Sequence, residues 1–304
     1  MTTLDLPRRV TVVEVGPRDG LQNEAVRVPT PVKIAFVEAL AAAGLPVVEI
    51  TAFVNPGRVP QMADAGEVAR GVARREGVRY TALVPNMRGL AAARQAGLTE
   101  VAVFAAASET FSRRNINQAV DESLAAYRDV VGEARGSGIR VRGYLSTAFG
   151  CPFEGEVAVA AVADLAARLL DLGVVEVAVS DTIGVATPGQ VVDVVEAVAA
   201  RVPREAIALH FHDTRGTALA NVLAALQAGI TTFDASAGGL GGCPFAPGAA
   251  GNVATEDLLY MLHGLGIETG VDVDAVAEAS RGIARVLNHP LASRYVAAGP
   301  ARPA

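Results

Sequence analysis

The sequence predicts a single (β/α)8 TIM barrel, an α/β fold, with an extra C-terminal helical segment. Its 304 residues fit one barrel of roughly 250 residues with additions. Apolar runs of strand length alternate eight times with helical patterns, which indicates a parallel sheet. Eight parallel strands are also the number that closes a barrel, although a flat, doubly wound sheet is the alternative. If the barrel is correct, the reactive residues should follow the strands at their carboxyl ends.

The predicted elements follow one another without a linker. The apolar runs predict strands at residues 10–15, 46–53, 78–83, 100–104, 139–145, 173–179, 206–211 and 231–235. The helical patterns lie at residues 30–43, 61–75, 87–96, 119–137, 156–172, 187–200, 215–228 and 254–265. A last helix is expected at 272–287 and an irregular tail at 288–304. One domain therefore spans 1–304, with the barrel at about 8–265 and the extension at about 266–304.

Boundary residues support several of these helices. Thr30 and Thr187 are each followed by proline, which is the arrangement of an N-cap residue with proline at the first helical position. A glycine just past a helical stretch is typical of helix ends, and it occurs at Gly44, Gly97, Gly138, Gly173 and Gly229.

The composition excludes several classes of function. Twenty-six basic against 32 acidic residues give a formal net charge of −6, and there is no tryptophan, so a nucleic-acid partner is not expected. No run approaches the ~20 uncharged apolar residues that cross a membrane. Two cysteines do not suggest a disulfide framework. The first residues show no secretory signal, and we expect a cytoplasmic protein.

The first strand runs into a charged, glycine-flanked turn. Arg18 and Asp19 lie between Gly16 and Gly20 in this turn. Asp19 offers a hard oxygen ligand for a metal ion, and the glycines allow a tight backbone path. The alternative is a purely structural turn in which Arg18 neutralises Asp19.

The seventh strand ends in the sequence HFHDT at residues 210–214. Residues i and i+2 of a strand face the same side, so His210 and His212 should point into the barrel mouth together. Two adjacent imidazoles form half of a metal site. His263 and His289 fall in or after late helices and are interpreted as structural.

A glycine-rich loop follows the eighth strand. Residues 238–252 contain six glycines and Cys243, which indicates a loop that can close over a ligand. A plain connector with a chance cysteine is the alternative. Asn252, at the end of the loop, is either the N-cap of the next helix or a metal ligand.

Two more acidic residues stand at strand ends. Glu49 lies inside an apolar strand, where an unpaired carboxylate is costly, and Arg18 across the mouth is the expected partner. Asp181 follows the sixth strand. Either acid could instead form a structural ion pair. Asp19, His210, His212 and Asn252 together suit Mg²⁺, Mn²⁺ or Zn²⁺.

Several motifs resemble the 3-hydroxy-3-methylglutaryl-CoA (HMG-CoA) lyase family, in the metal-dependent barrel superfamily that also contains isopropylmalate synthase. They are VGPRDGLQNE at 15–24, PGRVPQM at 56–62, RRNIN at 113–117, GCPFEG at 150–155, HFHDT at 210–214, GLGGCPF at 239–245 and NVATED at 252–257. The resemblance covers nearly the whole chain. The loop that carries Cys243 is the part specific to the lyases.

The resemblance implies a metal-assisted cleavage of an acyl-CoA that carries a tertiary 3-hydroxyl group and a distal carboxylate. Arg18 would stabilise the developing negative charge, Asp19 or Glu49 would take the hydroxyl proton, and Cys243 would protonate the acetyl-CoA enolate. Further candidates for binding the substrate or its CoA are Gln22, Arg114, Asn115, Asp181, Thr182 and Arg215. The family also suggests a homodimer.

The chain departs from the family at a few positions near the site. Arg215-Gly216-Thr217 stands where the family usually has Tyr-Gly-Gln, and Ala52 stands where serine is common. Residues 178–180 (AVS) replace a Ser-Leu-Gly. A sister lyase for another 3-hydroxyacyl-CoA, a condensing synthase and a non-catalytic metal- or CoA-binding barrel are therefore alternatives to an HMG-CoA lyase.

Overall fold

Eight parallel strands close into a barrel in sequence order in the computed structural model, which describes residues 5–242 and 251–299. The TIM-barrel prediction is confirmed. The strands are β1 Thr11–Glu14, β2 Val47–Ala52, β3 Arg79–Leu83, β4 Glu100–Ala106, β5 Arg140–Ser146, β6 Glu176–Asp181, β7 Ile207–Phe211 and β8 Thr232–Ala235. β1 pairs with β8 over four residues from Thr11↔Thr232, and this pairing closes the cylinder.

The strands are buried on both faces, which explains why they appear in the sequence as apolar runs. Their outward side chains join the main core beneath the helices, whereas the inward ones form a smaller cluster. Three of the four buried members of that inner cluster are alanines, Ala102, Ala178 and Ala208, around Tyr144. Such small residues leave room in the barrel for large and charged side chains near the mouth.

The helices surround the barrel as predicted. They are α1 Thr30–Ala42, α2 Ala65–Gly71, α3 Met87–Gln95, α4 Glu109–Ile116, α5 Val120–Gly136, α6 Val159–Leu172, α7 Pro188–Ala199, α8 Ala218–Gln227, α9 Thr255–Gly264, α10 Val273–Leu287 and α11 Arg294–Ala298. At α7 the predicted N-terminus is a capping box between Thr187 and Gln190, with Pro188 as the first helical residue. α6 ends at Gly173 in the left-handed conformation, as expected (φ 103).

Two helices were not predicted. Ser108 caps α4 by accepting a hydrogen bond from the Phe111 N–H at 3.1 Å, and Asn117 ends it in the left-handed region. α4 buries only Phe111 and Ser112, so it has no apolar stripe to reveal it. The tail, expected to be irregular, contains the five-residue α11.

Three predicted helices begin at least three residues later than expected: α2, α8 and α6, which begins at Val159 instead of residue 156. α2 ends before Val72, whose backbone is extended, and a separate 3₁₀ turn at Pro60–Met62 precedes it. α8 begins only at Ala218, because Gly216 adopts a positive φ of 72° and Asp213 Oδ1 accepts the Ala218 N–H at 3.0 Å. Among the described residues, no helix is long and apolar enough to cross a membrane.

Candidate active site

Arg18 and Asp19 follow β1 in a five-residue π-helical turn, Gly16–Gly20. The turn is anchored by the buried Glu14, whose Oε1 accepts the N–H groups of Gly16 (2.7 Å) and Ala237 (2.9 Å). A side chain at Gly16 would place its Cβ 2.6 Å from that oxygen, so any larger residue here would have to displace the Glu14 carboxylate. Glu14 therefore ties the Arg18–Asp19 turn to the turn after β8. Burial raises the pKa of this carboxyl to about 8.

The barrel brings Asp19 together with His210 and His212. One ligand atom from each of the three side chains lies within 4.8 Å of the other two. His210 lies on β7 and His212 just beyond it, and their ring centroids are 5.2 Å apart. The expected i, i+2 arrangement on one side of the strand is thus present.

Asn252 completes this group from the far side of the glycine-rich segment. Its Nδ2 donates to Asp19 Oδ2 and to the Leu240 carbonyl, both at 3.0 Å. Because both neighbours are acceptors, the amide nitrogen faces them and Oδ1 is left over. That oxygen is buried and has no hydrogen-bond partner in the described part of the chain. Asn252 is not a helix cap, since Ala254 occupies the N-cap of α9.

The protonation states suit cation binding. Burial opposes the ionisation of Asp19, but Arg18 and the two histidines outweigh it and lower the pKa of this carboxyl to about 2. Burial and the neighbouring His210 lower the pKa of His212 to about 4. At neutral pH the site therefore offers a carboxylate and a neutral imidazole.

These donors fit a divalent metal ion. Buried polar atoms almost always have partners, yet Asn252 Oδ1 and His212 Nδ1 have none within the described ranges. A cation held by Asp19, His210, His212 and Asn252 would supply the partner that the amide oxygen lacks. Oxygen and imidazole donors are the set that Mg²⁺, Mn²⁺ or Zn²⁺ accepts.

Arg18 connects the cluster to Glu49 and Tyr144. Its Nε donates to Glu49 Oε2 at 2.5 Å and its Nη1 to Asp19 Oδ1 at 2.7 Å. Its Nη2 has no hydrogen-bond acceptor among the described residues, and Arg18 is one of the residues that line the cavity. The Tyr144 hydroxyl also donates to Glu49 Oε2, at 3.1 Å, and the Arg18 guanidinium lies 5.2 Å from the centre of the Tyr144 ring. The expected Arg18–Glu49 pair is thus present, and burial raises the pKa of Glu49.

A small cavity of about 110 Å³ opens over the cluster at the barrel mouth. Two phenylalanines from β4 and α4 form part of its wall, and polar groups form most of the rest. Its lining residues are Arg18, Asp19, Gln22, Asn23, Phe104, Phe111, Asn115, Tyr144, Ser146, Ser180, Thr182, His210, His212 and Gly242. Gln22, Asn115 and Thr182 were candidates for substrate binding, and the structure places all three at the cavity.

Other candidates lie outside that lining. The Asp181 oxygens accept the N–H groups of Val185 and Ala186, both at 2.9 Å, so its carboxylate stabilises the turn after β6. Arg215 donates from Nη1 to the carbonyls of Ile183 (3.2 Å) and Gly184 (2.8 Å), and it is exposed. Neither side chain is directed at the cavity.

The remaining residues singled out in the sequence lie near the edge of the cavity, away from it, or outside the described residues. Arg114 packs its guanidinium 4.3 Å from the centre of the Phe153 ring, beside the mouth. Cys243 lies outside the described residues. His263 and His289 are bonded to Thr269 and Glu24, consistent with structural roles.

Sequence reasoning missed the charged pair behind His210. Asp234 on β8 lies 3.2 Å from His210 Nδ1 and receives two hydrogen bonds from Arg142 on β5. Both residues are buried charged positions within strands, and a charge within a strand is the signal that identified Glu49. Tyr144, also missed, carries no such charge and could be placed only by the structure.

The chain is similar to known proteins over nearly its whole length. The HMGL-like family model matches residues 9–283. The mitochondrial hydroxymethylglutaryl-CoA lyase of Bos taurus is 52% identical over 292 residues, which cover 96% of this chain and 90% of that protein.

Solved structures give the same relationship. The hydroxymethylglutaryl-CoA lyase from Pseudomonas aeruginosa matches with a TM-score of 0.95 at 52% identity, covering 96% of this chain and 98% of that one. An HMG-CoA lyase from Acinetobacter baumannii, in complex with coenzyme A and 3-methylmalate, matches with a TM-score of 0.92 at 40% identity over 96% and 95% of the two chains. The chain belongs to the HMGL-like family.

Proposed function

We propose that this protein is a divalent-metal-dependent carbon–carbon lyase that cleaves HMG-CoA to acetoacetate and acetyl-CoA. The observation that carries the proposal is the cluster of Asp19, His210, His212 and Asn252 at the barrel mouth. The names of the relatives support the choice of substrate, since the compared proteins at 52% identity are hydroxymethylglutaryl-CoA lyases.

The four residues would hold a Mg²⁺ or Mn²⁺ ion, with Zn²⁺ as a further possibility. When bound, such an ion acts as a Lewis acid that polarises substrate oxygens. Arg18 supplies a second positive centre, because it lines the cavity while Glu49 and Asp19 hold its Nε and Nη1. A guanidinium fixed in this way can stabilise negative charge on the hydroxyl and carbonyl oxygens as the C2–C3 bond breaks.

The structure favours Glu49 over Asp19 as the base that takes the hydroxyl proton. Asp19 lines the cavity, but a carboxylate with a pKa of about 2 is a weak base at neutral pH. Burial raises the pKa of Glu49, which reaches the cavity through one hydrogen bond from Tyr144. In this route the substrate hydroxyl gives its proton to Tyr144 Oη, and the Tyr144 proton moves to Glu49 Oε2.

Cys243 would return a proton to the enolate of acetyl-CoA. This role comes from the resemblance of its loop to the lyase branch of the family. Asn252, one of the four proposed ligands, ends the same glycine-rich segment that carries Cys243.

The cavity has room for the acyl end of the substrate rather than for the whole thioester. At about 110 Å³ it is far smaller than the roughly 300–1,000 Å³ of pockets that enclose a drug-sized ligand. The CoA moiety would therefore extend over the rim formed by α4, where Asn115 faces the cavity and Arg114 is available to pair with phosphate.

Turnover of a panel of thioesters tests the proposal. Purified protein with Mg²⁺ or Mn²⁺ should convert HMG-CoA to acetoacetate and acetyl-CoA in equal amounts. Preference for a 3-hydroxyacyl-CoA with a different 3-substituent would instead identify a sister lyase. Net condensation from acetyl-CoA and an oxo acid would identify a synthase.

Two further aspects remain proposals. The family resemblance supports a homodimer, which sedimentation can test. A cytoplasmic location, expected from the sequence, can be tested by cell fractionation, and the bovine relative is named mitochondrial.

A further inference from the structure

We propose that Asp234, held in place by Arg142, is a positioning residue of the metal centre. Asp234 holds His210 in the tautomer that carries its proton on Nδ1. The unprotonated Nε2 is then available to bind the metal ion together with Asp19 and His212. The inference rests on the metal site of the proposed function and is independent of the identity of the substrate.

The contact between Asp234 and His210 determines which ring nitrogen of His210 carries the proton. Asp234 Oδ2 lies 3.2 Å from His210 Nδ1, and the two residues are Cα partners in the β7–β8 pairing. Only 2% of Asp234 is exposed, so water does not compete for this contact. An ionised carboxylate can only accept hydrogen bonds, so Nδ1 must donate. A neutral imidazole has one N–H, and its proton is therefore absent from Nε2.

Arg142 keeps Asp234 ionised and restricts its rotation. Its Nη1 donates to Asp234 Oδ2 at 3.0 Å and its Nη2 to Asp234 Oδ1 at 2.6 Å, so the two side chains form a bidentate ion pair. Its Nε donates to Glu176 Oε1 at 2.6 Å, so the guanidinium is itself held on its other side.

A purely structural role does not account for this arrangement. Buried charged networks commonly contribute no more to stability than apolar residues of similar volume. This one is buried in the barrel, and its outermost hydrogen bond is the one that Asp234 accepts from the ring N–H of His210, a candidate ligand. Carboxylates that orient metal-binding histidines in this way are a general feature of metal sites, and their loss typically weakens metal binding about 10- to 100-fold.

The test measures the His210 tautomer and Mn²⁺ affinity in the full-length protein. ¹⁵N NMR of histidine-labelled, EDTA-treated protein distinguishes protonated from bare ring nitrogens, with signals assigned by single histidine substitutions. Calorimetry with Mn²⁺ alone gives the Kd for wild type, Asp234→Asn and Glu100→Gln. The last variant is a matched control, since Glu100 is also a buried strand carboxylate paired with an arginine, Arg79, at the amino end of β4.

We expect wild-type His210 to be protonated at Nδ1. In Asp234→Asn the amide can donate to Nδ1, so the population protonated at Nε2 should rise and the Mn²⁺ Kd should increase about 10- to 100-fold. Glu100→Gln should change neither the tautomer nor the Kd, even if it lowers stability.

Wild-type His210 protonated at Nε2, or unchanged Mn²⁺ affinity in Asp234→Asn, would overturn the proposal. The wild-type tautomer decides the matter even if the variant fails to fold. Mn²⁺ binding that depends on Asp234 in a protein that does not cleave HMG-CoA would support this inference while refuting the proposed substrate.

Discussion

Glu14 offers a test of how the two loops of the candidate site are held together. Its Oε1 accepts the Gly16 and Ala237 N–H groups, and its Oε2 contacts the Thr255 hydroxyl at 2.7 Å. Glutamine at this position can keep all three contacts, with its oxygen facing the two N–H groups and its amide donating to Thr255. Glu14→Gln therefore removes the ionisable proton and preserves the shape.

The expected magnitude follows from the pKa of Glu14. Burial raises it from 4.5 to about 8, so the folded protein binds this proton more tightly than the unfolded chain does. The associated stability is fully present below pH 4.5 and is lost as the pH rises through 8. At about 1.4 kcal/mol for each pKa unit, wild type should lose about 3 to 4 kcal/mol relative to Glu14→Gln between pH 5 and pH 8.

Urea denaturation of both proteins at pH 5 and pH 8 measures this difference. The variant and wild type should be within about 1 kcal/mol at pH 5, and the variant should be the more stable at pH 8. Glu67→Gln, on the exposed side of α2, controls for the loss of one charge. If wild type and Glu14→Gln differ in stability by the same amount at both pH values, Glu14 does not titrate with the raised pKa expected from its burial.

Three further predictions concern the site itself. Cys243→Ala should lower turnover about 10²- to 10⁴-fold while leaving Mn²⁺ affinity unchanged, and near-normal turnover would remove its role as the acid. Gly251→Ala should weaken Mn²⁺ binding, measured by calorimetry, more than tenfold, because its Cβ would collide with the carbonyls of Gly241 and Gly239 beside Asn252. The control Gly264→Ala, which has open space around the added Cβ, should bind Mn²⁺ like wild type. Arg215→Tyr should change kcat/KM for HMG-CoA by no more than a few-fold, because the Arg215 guanidinium bonds to backbone carbonyls outside the cavity lining, and a large change in acyl preference would contradict that placement.

The barrel and the clustering of Asp19, His210 and His212 at its mouth could be predicted because their signals are local. Strands buried on both faces appear as apolar runs, and His210 and His212 show their shared orientation through their spacing alone. The sequence leaves Asn252 open between a helix cap and a metal ligand, since its amide oxygen can serve in either role. The structure separates them, because Ala254 is the cap and the Asn252 oxygen has no hydrogen-bond partner in the part of the chain that the structure describes.

The parts that could not be predicted depend on contacts between distant residues. Arg142 and Asp234 meet across 92 positions of sequence, so their pairing requires the strand arrangement of the closed barrel. Asp181 and Arg215 are typical site residues by type and position, but their side chains turn to nearby backbone groups. Residue identity predicts what a side chain can bind, whereas its direction depends on the packing around it.

The proposed metal site consists of four residues that hold one divalent ion, and carbon–carbon cleavage requires this ion. Its most direct test is the turnover of HMG-CoA by EDTA-treated protein during titration with Mn²⁺, together with Asn252→Ala as a ligand variant. We predict that turnover is absent from the stripped protein, rises until one ion is bound per chain, and requires a higher Mn²⁺ concentration in the variant. Full turnover by the stripped protein, or an identical titration by Asn252→Ala, would contradict the claim.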